Sequence, residues 1–204
     1  NQPANWPQIE RANIMAAAIE SMFYKGETPW HGLGNRVIEA LTVEQAIKQA
    51  GLDWMVRTQP IYLADGRQLK GGQAIIRETD NTELGVVGPR YVPLQNHEAF
   101  KPFDPLVEAG DIELETAGSL CDGKKIWVLA RLTGGDTRII GDDVIRKFML
   151  LSNSHDGTTA IRFGFTGVRV VCANTLAMAH NDAESKLIRI KHSSKAVANL
   201  EALR

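Results

Sequence analysis

The stretch TAIRFGFTGVRVVCANTLAMAHN, residues 159–181, decides how this chain is read. Ile161, Phe163 and Phe165 alternate on odd positions, as a strand with one buried face requires. Val168, Val170 and Cys172 continue the alternation on even positions, so the phase slips at Thr166 and Gly167. A slip of one residue exchanges the faces of a strand, which predicts a bulge or tight bend at Gly167. Beyond Cys172 the residues favour a helix, expected over 175 to about 190 with Asn174 as its cap.

Upstream, ELETAG (113–118), KKIWVLARLT (124–133) and RKFMLLSNS (146–154) are strand-like, with CDGK (121–124) and SHDG (154–157) as hairpin turns. An earlier group, WMVRTQPIYLA (54–64), QAIIRET (73–79) and ELGVVGPRYVPL (83–94), is separated by turn-rich DGRQLKGG and TDNTE, which suggests an antiparallel meander. NHEAFKPFDPLVEAG (96–110) follows as a helix with Phe100, Phe103, Leu106 and Val107 on its apolar side. Pro102 and Pro105 remove backbone donors within it, so it should be broken or irregular. LTVEQAIKQAG (41–51) carries the clearest helix signals. Thr42 caps it, Gln45 completes a capping box, Val43, Ala46, Ile47 and Ala50 form its stripe, and Gly51 ends it.

These segments predict an α+β fold of antiparallel strand meanders packed with a few helices. Residues 1–28 read as an N-terminal arm whose segment IERANIMAAAIESMF (9–23) is an amphipathic helix candidate. Residues 29–204 read as a single α+β domain, with more helix expected beyond AVANLEALR, where the chain ends.

The chain has 204 residues, 44% of them apolar, and no run long enough for a membrane helix, which makes the cytoplasm the default expectation. Two cysteines without CxxC spacing, and five histidines without HExxH spacing, give no zinc signature. No cofactor is expected. The net charge of −1 confines any nucleic-acid binding to a local patch. KLIRIKHSSK (186–195) is that patch, because Lys186, Arg189, Lys191 and Lys195 occur there without an acid, and Arg162 and Arg169 add cations nearby. In DIELE (111–115), the shared parity of Asp111, Glu113 and Glu115 reads as the solvated face of a strand.

Three further clusters invite a chemical reading. Cys172 shares its face with valines while Arg169 points away, which favours a core thiol over a nucleophile. In TPWHGLG (28–34), Trp30 is expected to plug the core, Gly32 and Gly34 to permit unusual backbone angles, and His31 to make a polar contact. Ser154, His155 and Asp156 are adjacent in sequence, and a catalytic triad needs convergence rather than adjacency, so a turn is the better reading.

PWHGLG, RYVPLQN, ETAGSL with GKKIWVLARL, NSHDG, VRVVCANTL and IRIKH occur in order, and together they resemble the phage/plasmid-like protein family, a domain-of-unknown-function group. The resemblance implies a setting in bacteriophages, prophages or plasmids and no assigned activity. More remotely, the three strands and helix of residues 54–110 are similar to the core of single-strand annealing proteins. That similarity implies single-stranded DNA binding, strand annealing in recombination and a homo-oligomer. Arg162, Arg169, Lys186, Arg189, Lys191 and Lys195 are then the expected contacts. The alternatives are a module that binds a host defence protein, and an enzyme with a site near His31, His155 and Cys172.

Overall fold

The computed structural model describes residues 17–134, 137–138 and 144–202. Twelve strands are seen among them: β1 (Ile19–Lys25), β2 (Asn35–Val37), β3 (Val56–Tyr62), β4 (Gln68–Arg77), β5 (Glu83–Val87), β6 (Ile112–Leu120), β7 (Lys125–Leu132), β8 (Thr137–Arg138), β9 (Val144–Ile145), β10 (Phe148–Ser154), β11 (Ile161–Thr166) and β12 (Lys186–Ile190). The helices are α1 (Val43–Gln49), α2 (Asn96–Phe100), α3 (Asp104–Glu108), α4 (Ala173–Asn181) and α5 (Ala196–Glu201). The fold is α+β, as the strand and helix patterns predict.

A seven-stranded sheet runs in the order β12-β11-β10-β7-β6-β1-β2, antiparallel except where β1 meets β2. Its two faces bury separate cores because side chains alternate along each strand. Ile126, Val128 and Ala130 of β7 enter one core, while Trp127 and Leu129 enter the other. The first core is closed by α1, by the meander β3-β4-β5, and by Phe100 and Phe103. Leu200 of α5 also reaches it. The second core is closed by α4 and by Val170, Val171 and Cys172.

The capping box of α1 forms as expected, with Gln45 N–H donating to the Thr42 hydroxyl and Thr42 N–H donating to the Gln45 amide oxygen. The two prolines split the following helix as expected: α2 ends at Phe100, a 3-10 turn spans Lys101–Phe103, and α3 begins at Asp104. The meander docks through Arg77 of β4. Its guanidinium reaches Glu20 of β1 at 2.6 Å and Asp80 at 2.8 Å, and lies 5.3 Å from the Trp54 ring centroid.

Several expectations are corrected. Residues 19–23, read as the end of an amphipathic helix, belong to β1 inside the large sheet, where Met22 and Phe23 serve opposite cores. Residues 1–16 of the expected arm lie outside the described residues. The helix expected to run to 190 stops at Asn181, and 186–190 form β12. Ser185 donates to the Asp182 carboxylate between them, turning the chain back to pair with β11.

The cap of α4 is also not Asn174. Cys172 occupies the cap position, and the Thr175 hydroxyl accepts from the N–H groups of Val171 and Cys172. The phase slip at Thr166 is the end of β11 and a bend beginning at Gly167. Trp30 is 56% exposed and does not plug the core, whereas its neighbour His31 is buried. DIELE is not a solvated face either. A bulge at Glu115 breaks its parity, and both Glu113 and Glu115 hold ion pairs.

Candidate nucleic-acid interface

Strand β12 is an edge of the large sheet. Its sequence KLIRI turns Ile190 into the core, leaves Ile188 half-exposed and pairs Arg189 with Arg162 across the ladder. The chain then turns at Ser193 into α5, which returns against β12. Between strand and helix lies a shallow groove of about 570 Å³, lined by Ile188, Arg189, Lys191, Lys195 and Asn199 among others. Among the described residues no carboxylate lines it. Lys186 stands at the start of the strand, opposite the half-exposed Phe165.

A second hollow of about 670 Å³ adjoins the first and shares Lys191 and Ser193 with it. Its walls are two turns, 88–91 and 157–160, and among the described residues no carboxylate lines it either. Arg90 adds a further cation. Tyr91 is stacked on His192, with ring centroids 4.5 Å apart and planes 24° apart. The nearby Asp156 carboxylate accepts from the hydroxyls of Ser154 and Thr158.

Of the six cations expected to act together, three line one surface: Arg189, Lys191 and Lys195. Lys186 lies beyond it at the start of the same strand. Arg162 is occupied elsewhere, donating from Nη1 to the His180 carbonyl at 2.9 Å, where it meets the negative end of α4. Burial, and then the charge of Arg189, pull its pKa down. Arg169 is also occupied, pairing with Glu115 at 2.8 Å and donating to the Lys25 carbonyl. Both arginines therefore have structural partners. The sequence does not place Arg90 and Tyr91 beside the basic segment, because they lie about a hundred residues from it, with only the RYVPLQN motif to single them out.

Of the residues named for an enzyme, His31 lies next to the Val171–Cys172 segment, whereas His155 stands apart from both on the other face of the sheet. Cys172 is 1% exposed beside Leu176 in the second core, whereas His155 lies in the first, donating to Asn96 Oδ1 beside Trp54. His31 bridges Leu33 N–H and the Val171 carbonyl. A closer pair, Ser152 Oγ and His180 Nε2 at 2.8 Å, is unsuited to base catalysis. Burial first, and then Arg162, Lys125 and Arg189, push the imidazole pKa down to about 4. Among the described residues no group of three or more His, Cys, Asp or Glu side chains could hold a metal ion.

A family model described as a domain of unknown function, DUF932, matches residues 83–204, which run from β5 to the end of the chain and include both hollows. No curated protein and no solved structure matches the chain.

Proposed function

We propose that this chain, which belongs to the DUF932 family of unknown function, binds single-stranded DNA along the groove between β12 and α5. The observation that carries the reading is that Arg189, Lys191 and Lys195 line one groove, with no carboxylate lining it among the described residues, in a chain whose net charge is −1. Such segregation concentrates positive potential where a phosphate backbone can lie. Ile188, half-exposed in the groove, and Phe165, half-exposed opposite Lys186, offer apolar surface to unstacked bases.

A role in phage or plasmid DNA metabolism is supported by the ordered resemblance of VRVVCANTL and its companion motifs. Strand annealing in recombination, by a homo-oligomer, rests on the remote resemblance of the strand and helix pattern of residues 54–110 to the core of annealing proteins. Fold-level similarity suggests function without assigning it, and the groove chemistry is the firmer support.

The test is equilibrium binding of a fluorescently labelled oligonucleotide over a range of salt. The reading expects affinity that falls steeply with salt and depends little on sequence. Absence of binding at low salt would overturn it.

A further inference from the structure

Resting on the proposed binding of a single strand, we propose that the hollow between the turns 88–91 and 157–160 receives one nucleotide of that strand. Its phosphate would lie on Arg90 and Lys191, and its base beside the Tyr91–His192 pair.

The hollow differs from the groove it adjoins. The groove is a shallow strip of cations, whereas the hollow combines cations with a fixed aromatic pair and the hydroxyl side chains of Thr158, Thr159 and Ser193. Its volume of about 670 Å³ lies within the roughly 300–1,000 Å³ range of small-molecule pockets.

Tyr91 is held at three points. Its hydroxyl donates to the Ser154 carbonyl at 2.6 Å, its carbonyl accepts from Gln73 Nε2 at 2.9 Å, and its ring lies on His192. His192 is in turn fixed by donation from Nε2 to the Thr159 carbonyl at 3.2 Å. Burial lowers the His192 pKa and raises that of the Tyr91 phenol, so both rings are neutral at neutral pH. A rigid, uncharged aromatic pair beside two cations suits the two halves of a nucleotide, a planar base and an anionic phosphate. Lys191 belongs to both hollows and lets one backbone pass from the groove into the pocket.

The experiment compares an oligothymidylate with an abasic strand of the same length, using the full chain and its exposed-site variants Arg90→Ala and Lys195→Ala. The wild-type protein should bind the base-bearing strand roughly tenfold more tightly. An iodouracil-substituted strand should photo-cross-link to a peptide containing Tyr91 or His192, and this cross-link should weaken in Arg90→Ala at saturating strand. Lys195→Ala should weaken both strands alike and leave the cross-link site unchanged. Cross-links confined to other peptides overturn the pocket while leaving the groove reading intact, and equal binding of the two strands overturns the pocket and leaves only the phosphate contacts of the groove. No binding of either strand overturns both.

Discussion

Arg169 lies 2.8 Å from Glu115 across the end of the large sheet and also donates to the Lys25 carbonyl, so one guanidinium ties the segment before α4 to β6 and β1. This contact gives the arginine a structural task. Arg169→Ala would leave Glu115, itself 8% exposed, without its partner. The expected loss is about 3–5 kcal/mol of stability by denaturant unfolding. The salt dependence of DNA binding by the folded fraction should not change.

The groove cations should behave in the opposite way. Arg189, Lys191 and Lys195 line open surface, so alanine at any of them should leave the melting temperature nearly unaltered. If each contacts one phosphate, each substitution should flatten the slope of log K against log salt by about 0.7. Titration of one labelled strand at several salt concentrations measures this.

Gly164 controls how β12 is seated. It adopts φ +151°, and a Cβ there would stand 2.0 Å from the Lys186 carbonyl oxygen on the neighbouring strand. Gly164→Ala must therefore push β12 away from β11, with an expected loss of about 1–3 kcal/mol. Oligonucleotide affinity should fall although no cation has been removed, a result that thermal unfolding and binding together would reveal.

The two cysteines should differ sharply in reactivity. Cys121 is exposed at the β6–β7 turn, whereas Cys172 is buried. A thiol reagent should titrate one group per folded chain quickly and the second only on unfolding. Cys172→Ser should reduce stability by about 1–3 kcal/mol, through burial of a hydroxyl, and leave strand binding intact.

Acid should destabilise the fold through its histidines. Burial, followed by the charge of His192, pushes the His155 pKa from 6.5 down to about 3. The unfolded state binds the proton first, so the stability contributed by neutral His155 is complete above pH 6.5 and is lost as pH falls towards 3. Within that window the loss is about 1.4 kcal/mol per pH unit for this residue alone. His31, His180 and His192 are shifted the same way by burial and add to the slope. Urea unfolding at a series of pH values should show it, and His155→Gln should flatten it.

What the sequence disclosed depended on whether the signal was local. The α1 capping box, the split of α2 from α3 at the prolines, and the turns at Asp122 and Asp156 each arise within a few residues, and each was legible. Signals that depend on distant pairing were not. β1 looks helical until β6 and β2 flank it, and KLIRI continues a helical stretch until β11 supplies a ladder. The parity of DIELE could not anticipate a bulge at Glu115.

The same limit governed the site. A basic segment free of acids was visible, as was the burial expected for Cys172. Sequence could not show that Arg162 and Arg169 find acceptors in other elements, or that the 88–91 turn brings Arg90 and Tyr91 beside Lys191.

The place of β12 in the sheet has a consequence of its own. An edge strand presents unpaired backbone groups to any other extended chain, and cations along it discourage copies from zipping together. Lys186 and Arg189 on β12 would therefore oppose such edge pairing, apart from any contact with phosphate. Neutralising several at once should convert the free edge into an adhesive seam, so a multiply substituted protein that loses DNA binding must first be shown to be monodisperse.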